Sequence, residues 1–135
     1  MSSPSMTMFD LARQAMSAQT VRMNAAASNL ANAGSAATSE ADAYRPIRPV
    51  FARQLDVASG LASVRVVAVR QSDAAPVRQH DPDHPLADED GNIWISPVDE
   101  NGELVEMMEA SRQYQNVMQA LTTTRNLMLE TMRMK

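Results

Sequence analysis

Residues 104–132 read LVEMMEASRQYQNVMQALTTTRNLMLETM, and this stretch has the most regular pattern in the chain. Alternate steps of three and four residues from Leu104 reach an apolar side chain at seven of nine positions. That spacing places the apolar residues along one face of a helix. Acidic residues before the stretch, and Arg133 and Lys135 at its end, match the two ends of a helix dipole, so we predict a helix over residues 99–135. The nine positions are Leu104, Met107, Ser111, Tyr114, Met118, Leu121, Arg125, Met128 and Met132.

A second apolar stripe lies near the start of the chain. The same steps from Phe9 give seven apolar residues in eight positions. Residues 5–33 contain no proline or glycine, and Gly34 follows at a left-handed end position. We therefore predict a helix over residues 5–33. Its eight stripe positions are Phe9, Ala12, Met16, Gln19, Met23, Ala26, Leu30 and Ala33.

Helices of this length cannot be buried inside a globule of 135 residues, since they would be roughly 43 and 52 Å long. Either they pair with each other as a coiled coil, or their stripes meet other subunits, and both can hold at once. We predict a mainly α fold with a small β region. Residues 1–33 and 99–135 would form one discontinuous, coiled-coil-like domain, with a short β-hairpin and extended segments between them.

The middle of the chain, residues 34–98, predicts the small β region. Its strongest pattern has β-branched residues in partial alternation with polar ones. Glycine, proline and aspartate mark the turns and loops. The predicted elements are strands at 49–57, 63–70 and 92–96, turns at Ser59-Gly60 and Asp90-Gly91, and a loop over 79–90.

The composition fits an interaction protein better than a compact enzyme. Aromatic residues make up only 4%, whereas there are 11 methionines, whose flexible side chains adapt to several neighbours. The net charge of -4 argues against a nucleic-acid surface. The absence of cysteine excludes disulfides and thiolate chemistry.

The residues that could carry chemistry form no catalytic motif. Two histidines and two aspartates within residues 80–84 could ligate a metal, or could form a polar loop braced by prolines. Residues 88–92 resemble part of a calcium loop, but the first and twelfth ligand positions would be Leu86 and Pro97. No phosphate-binding glycine loop or nucleophile elbow occurs. We expect no enzyme activity, no metal and no cofactor.

Targeting signals leave two interpretations open. The N-terminus has no basic region followed by an apolar run, so we expect no cleaved signal peptide. No segment has the apolar length of a membrane helix. These features fit a cytoplasmic protein, and equally one exported by a route that reads no cleaved signal.

Several asparagines cluster at the end of the first predicted helix. Asparagine is a mediocre helix former because it competes for backbone hydrogen bonds. The cluster therefore predicts either a fraying helix end or side-chain hydrogen bonds to a partner. The cluster consists of Asn24, Asn29 and Asn32, with Ser28 among them.

The same segment carries a resemblance to a known family. Residues 27–33, ASNLANA, resemble the N-terminal signature of the bacterial flagellar rod and hook proteins. Residues 81–91, DPDHPLADEDG, and 105–115, VEMMEASRQYQ, resemble the C-type rod subunits of that family. The resemblance covers nearly the whole chain.

The resemblance implies a structural subunit of the proximal rod, which transmits torque and lines the export channel through helix packing. It implies type III export, assembly in the periplasm, and contacts with other rod proteins, with further copies, with the inner-membrane ring and with rod-adaptor proteins. No nucleic acid or small-molecule substrate is expected. The expected packing residues are Phe9, Met16, Met23, Leu30, Leu104, Met107, Tyr114, Met118, Leu121 and Met128, and the residues expected to form hydrogen bonds between subunits are Asn29 and Asn32.

Three other hypotheses remain at this point. The chain could be another axial rod subunit of the B type, although the loop over residues 81–85 favours the C type. It could be a cytoplasmic helical adaptor or export chaperone. It could also be a small metal-binding enzyme that uses His80 and His84.

Overall fold

The computed structural model describes residues 4–135 and consists of two long helices with a small β region between them. This confirms the two predicted helices and the antiparallel β region. Residues 1–3 of the predicted N-terminal segment lie outside the described residues. The elements are α1 (Met8–Ala31), β1 (Ala36–Ala37), β2 (Ile47–Asp56), β3 (Leu61–Gln71), β4 (Val77–His80), β5 (Asn92–Ile95) and α2 (Glu100–Arg133).

The ends of α1 are fixed by local hydrogen bonds. The Thr7 hydroxyl accepts from the Asp10 backbone N–H at 3.1 Å, and the Asp10 carboxylate accepts from the Thr7 N–H at 3.1 Å. This reciprocal capping box satisfies backbone donors that a helix start leaves free. At the other end Gly34 has φ of +71°, which confirms the predicted left-handed position.

The β residues form two separate sheets. Strands β2 and β3 make a long antiparallel hairpin, in which Val67 is an extra residue between the Val50–Ala68 and Phe51–Val66 pairs. The second sheet has the order β1-β5-β4. The predicted strands at 49–57, 63–70 and 92–96 are present with shifted ends, but β1 and β4 were not predicted. Residues 79 and 80, assigned to a loop from sequence, are the end of β4.

Helix α1 lies between the hairpin and α2. The two helices are antiparallel, since Arg22 of α1 meets Glu106 near the start of α2, whereas Met8 lies beside Thr124. On another face of α1, Ala18 and Val21 lie against Val64 of β3. The second sheet sits where α1 ends and α2 begins, and the Ser96 N–H donates to the Ser35 carbonyl at 2.9 Å.

Asn29 fastens the end of α1 to the start of the hairpin. Its side chain is fully buried, at 0% exposure. Its amide nitrogen donates to the Ile47 carbonyl at 3.0 Å, and its amide oxygen accepts from the Ile47 N–H and the Tyr44 hydroxyl, both at 2.8 Å. The Asn29 side chain thus satisfies both backbone groups of Ile47, as a neighbouring strand would, and it also binds the Tyr44 hydroxyl.

We expect Asn29→Ala to lower the free energy of unfolding by about 2 to 3 kcal/mol, because it leaves buried groups of Ile47 without partners. Urea unfolding followed by circular dichroism measures this change. The matched control is Asn24→Ala, an exposed position on the same helix, which should change the free energy by no more than about 0.5 kcal/mol. Equal effects of the two substitutions would contradict the role of Asn29.

Asp56 holds the hairpin tip to the segment before α1. Its carboxylate accepts from the Ser59 hydroxyl at 2.7 Å and from the Met6 N–H at 2.7 Å. The hydrogen bonds from Ser59 and Met6 lower the pKa of Asp56 below its ordinary value of 3.8. The pKa of Asp10 is lowered in the same direction by its hydrogen bonds with Thr7.

A carboxyl group whose pKa is lower in the folded state than in the unfolded state stabilises the fold. This contribution is present above the unfolded-state pKa and is lost as the pH falls through the folded-state pKa. We therefore expect the free energy of unfolding to fall as the pH drops below about 4. Asp56→Asn should make this acid dependence shallower, as measured by urea unfolding between about pH 6 and about pH 3. Asp83→Asn, at an exposed loop carboxylate, serves as the control and should leave the slope unchanged. An unchanged slope in both variants would rule out the Asp56 contribution.

Candidate functional site

The surface shared by α1 and α2 is the candidate site, since both predicted stripes lie along it. Side chains from the start of α1 and the second half of α2 enclose an apolar cleft of about 240 Å³. Many of these side chains are small, so the two backbones come close together without filling the space between them. The cleft is lined by Met8, Leu11, Ala12, Ala15, Val117, Ala120, Leu121 and Thr124.

An ion pair closes the other end of this surface. The Arg22 guanidinium donates to the Glu106 carboxylate at 2.8 Å and lies 4.0 Å from the Glu109 carboxylate. Gln19 accepts a further hydrogen bond from Arg22 at 2.8 Å. The hydrogen bond between Arg22 and Glu106 raises the pKa of Arg22 and lowers the pKa of Glu106. Both side chains therefore stay charged across the neutral range and set the register of the two helices.

A second ion pair ties α2 to the hairpin. Arg48 of β2 donates to the carboxylate of Glu103, whose side chain is only 1% exposed. This hydrogen bond raises the pKa of Arg48. The second carboxylate oxygen of Glu103 is buried and has no hydrogen-bond partner among the described residues. A buried carboxylate that loses its ion-pair partner strongly destabilises the fold, so the hydrogen bond from Arg48 is essential to the buried position of Glu103.

The contact between the helices shares Met107, Tyr114 and Leu121 with the predicted stripe of α2, and its other positions differ from that stripe. The side chains turned toward α1 follow the steps that begin at Glu103, not at Leu104, and Ala110 in this series is fully buried. Met107, Tyr114 and Leu121 belong to this contact and are half-buried. Leu104 and Met118 are instead 44% and 43% exposed. We refer to the contact positions as the seam, which comprises Glu103, Met107, Ala110, Tyr114, Val117, Leu121 and Thr124.

The predicted packing residues of α1 also differ from its contact positions. Ala15 and Arg22 face α2, whereas the predicted packing residues Met16 and Met23 each lie one residue later in the sequence. Phe9 is 40% exposed. Met16, Met23 and Leu30 are half-buried. The structure of one chain thus leaves part of each predicted stripe uncovered, and their role in packing between subunits stays a prediction.

Helix α2 continues well past the start of α1. Met8 lies beside Thr124, so the residues after Thr124 have no α1 residue opposite them in the described part of the chain. This overhang is apolar and exposed, and it includes the predicted packing residue Met128. Its large apolar residues are Leu127, Met128, Leu129, Met132 and Met134.

The two predicted asparagines have different positions. Asn29 is buried, and its amide makes hydrogen bonds within the chain, so the structure corrects its predicted role between subunits to a role inside one subunit. The physical reason is that Ile47 approaches α1 at this point and needs both a donor and an acceptor. Asn32 donates to the Ser28 carbonyl at 2.8 Å and is only half-buried. Its hydrogen bond to another subunit stays a prediction.

The histidine loop is organised by hydrogen bonds of its own. His84 accepts from the Leu86 N–H at 3.0 Å, and His80 lies 3.3 Å from the Asn92 side-chain oxygen. Among residues 4–135, no group of three or more histidine, cysteine, aspartate or glutamate side chains is arranged to hold a metal ion. In the same residues, neither helix combines the length and apolar character that crossing a membrane requires.

Sequence reasoning missed the polar side chains that fix the geometry, namely Arg22, Arg48, Glu103 and Tyr44. A signal for Glu103 was present, because steps from Glu103 give a series almost as apolar as steps from Leu104. Because Glu103 is acidic, the apolar stripe was started at Leu104 instead. No sequence signal pointed to Arg48 or Tyr44, which reach their partners only through the fold.

Comparison with known proteins agrees with these observations. The family model described as "Flagellar basal body rod FlgEFG protein C-terminal" matches residues 89–134, which contain α2. The chain is 41% identical to the flagellar basal-body rod protein FlgC of Salmonella typhimurium, over 94% of this chain and 95% of the relative. It is 40% identical to the protein of that name from Escherichia coli O6:H1, with the same coverage. The Agrobacterium fabrum relative is 32% identical over 90% of this chain and 88% of its own length.

Similarity at this level extends through both helices, the hairpin and the loop before α2. It is therefore not limited to the helical pattern that many interaction proteins share. The chain belongs to the family of flagellar basal-body rod proteins FlgC, the structural subunits of the bacterial flagellar rod.

Proposed function

We propose that this chain is a subunit of the proximal rod that transmits torque and lines the export channel by packing its helices against neighbouring rod subunits. On this proposal the two helices form one discontinuous axial domain, residues 1–33 and 99–135. The subunit is exported without a cleaved signal peptide and assembles in the periplasm. Its neighbours are other rod proteins and copies of itself, with the inner-membrane ring and rod-adaptor proteins as further partners.

The observation that carries the proposal is a second apolar stripe beside the seam. On α1 it consists of Phe9, Met16, Met23 and Leu30, and on α2 of Leu104, Met108 and Met118. At about 3.6 residues per turn, in an antiparallel pair, both sets lie on the same side of the helix pair, away from the hairpin. The helix pair thus presents apolar side chains along one face, interrupted on α2 by Ser111 and Gln115, and its own chain covers them only in part.

Methionine is prominent in this outer face, with Met16, Met23, Met108 and Met118. Its unbranched side chain changes rotamer at little cost and fits surfaces of different shape. A subunit in a rod built from several proteins meets neighbours that are not identical. The choice of methionine over leucine or isoleucine supports a face that contacts more than one kind of neighbour.

The overhang of α2 supports axial contact with a subunit above or below. About ten residues beyond Thr124 extend the helix by roughly 15 Å past the start of α1. Interdigitated apolar side chains have the density of a crystal and low compressibility, so they resist sliding. Resistance to sliding between subunits is what transmission of torque requires.

Met118→Asp should abolish motility and remove the chain from purified basal bodies, because it places a charge in the outer apolar face. The purified variant should still fold, with circular dichroism and urea unfolding close to those of the parent, since Met118 is exposed in the single chain. Leu121→Asp, one turn further along in the seam, should instead lower stability by about 3 kcal/mol or more as well as block incorporation. Leu30→Asp should also block incorporation.

The matched control is Asn116→Asp, which adds the same charge on the exposed side of α2 that faces neither α1 nor the outer face. It should leave motility and incorporation intact. Normal motility with Met118→Asp, or an equal loss with Asn116→Asp, would contradict the proposal that this face packs against neighbouring subunits.

A further inference from the structure

Three arginines of the β2–β3 hairpin are exposed and have no ion-pair partner in the part of the chain that the structure describes. They are Arg53, Arg65 and Arg70. The ion pairs among the described residues engage Arg13, Arg22 and Arg48 instead. Residues 47–71 contain four arginines against one aspartate, a net charge of +3 in a chain whose total is -4. Exposed, unpaired cations on an acidic protein favour an acidic partner.

The complementary charge lies in the next segment of the same sequence. Residues 72–98 contain six acids and one arginine, a net charge of -5. Five of the six acids lie in the loop between β4 and β5, which spans residues 81–91. Asp83, Glu89 and Asp90 are exposed, and none of the ion pairs among residues 4–135 involves an acid of this loop.

The acidic loop has a fixed shape. The Asp81 N–H donates to the Gly91 carbonyl at 2.9 Å, and the Asp88 N–H donates to the Asn92 carbonyl at 2.9 Å. The Asp88 carboxylate in turn accepts from the Asp90 and Asn92 N–H groups at 2.9 and 2.8 Å. A loop already held in one conformation loses little entropy when it binds.

The hairpin is fixed as well. Its tip is tied to Met6 through Asp56, and its base is tied to α1 through Asn29. Both charged surfaces are therefore rigid before they meet any partner. Rigid surfaces of opposite charge associate rapidly and with a defined register.

The hairpin and the sheet that carries the acidic loop are separate sheets of the chain. Strands β4 and β5 make no contact with β2 or β3, and the two sheets share no strand pairing. The Arg53–Val64 pair lies six residues along the hairpin from its base at Ile47–Gln71, which is about 20 Å. No ion pair and no strand pairing among the described residues joins the basic hairpin to the acidic loop.

We propose that the basic hairpin of one copy docks against the acidic loop of a second copy. The occupant is a second copy because the same chain carries both a hairpin of net charge +3 and a segment of net charge -5. Arg53, Arg65 and Arg70 of the hairpin and the acids of the loop take part in none of the ion pairs among the described residues. Such a contact is heterologous, so each copy donates its hairpin to one neighbour and its loop to another. Repetition of this contact gives a ring or a helical array, and the contact lies outside the helix faces of the proposed function.

The test uses the purified full-length chain in sedimentation velocity experiments at low and high salt. The parent should self-associate at low salt and shift toward the monomer at high salt, because exposed charge pairs are screened. Arg65 and Arg70 share one face of the hairpin, since their partners Ala52 and Arg48 are four residues apart on β2. Arg65→Glu/Arg70→Glu and Asp83→Lys/Glu89→Lys should each lose the associated species when measured separately. An equimolar mixture of the two variants should associate again, since one retains the parental loop and the other the parental hairpin.

A chain that carries all four reversals should also regain salt-sensitive association, with the polarity of the contact inverted. Arg78→Glu is the matched control, since it adds negative charge on the exposed β4 strand beside the acidic loop and should not weaken association. A parent that is monomeric at every salt concentration would overturn the proposal. Loss of association with the hairpin variant but not with the loop variant would also overturn it, because the hairpin would then bind acidic residues other than this loop.

Failure of this assay leaves the helix-packing proposal standing, because association through apolar helix faces does not weaken at high salt. The Met118→Asp and Asn116→Asp comparison in basal bodies tests that proposal separately. The two sets of variants change different surfaces, so each result is assigned to one contact.

Discussion

The close approach of α1 to both of its neighbours is the constraint on which the structure depends. Ala18, Ala25 and Ala26 of α1 and Ala110 of α2 are buried where these elements meet. Alanine lets backbones approach closely but buries little apolar area, so each contact contributes little through the hydrophobic effect. Its side chain also has no shape that would favour one register over another. The apolar contacts therefore bring the elements together without defining how they are aligned.

Polar side chains supply the alignment, and they are concentrated at one end of the helix pair. Asn29 fixes α1 to Ile47, Arg22 fixes it to Glu106, and Arg48 fixes the hairpin to Glu103. All three contacts lie near the end of α1 and the start of α2. At the opposite end, the helices enclose a cleft instead of a packed core, and no described residue of α1 lies opposite the last turns of α2. The helix pair is held by polar contacts near the small sheet and is less completely packed at the far end, where several apolar side chains of α2 are exposed.

Much of this fold could be predicted from the sequence, and the parts that could not have a physical cause in common. The two helices and strands β2, β3 and β5 follow from local residue patterns, which act within a few residues of the chain. The strands β1 and β4 are two and four residues long and depend on pairing with β5, so no local pattern marks them. The partners of Asn29 and Glu103 are likewise distant in sequence. Of the predicted packing residues on α2, Met107, Tyr114 and Leu121 lie in the contact with α1, whereas Leu104 and Met118 are exposed, because periodicity gives the width of an apolar stripe and not the part of it that the chain itself covers.

The predicted apolar stripes are wider than the contact between the two helices. A helix that only paired with one partner in its own chain would need the narrow seam that begins at Glu103 on α2. Here Leu104, Met108 and Met118 add apolar residues on one flank, and α1 adds Phe9, Met16 and Met23 on the same side. Exposed apolar side chains scattered singly require no explanation, but several of them on the same side of two packed helices form a surface that is typical of an interaction site. The buried residues where α1 meets its neighbours are mostly alanines, which bury little apolar area. On the proposed function, burial of the outer residues by neighbouring subunits would add stability through binding. The division between seam and outer stripe therefore separates the residues that define one subunit from those available to hold it in an assembly.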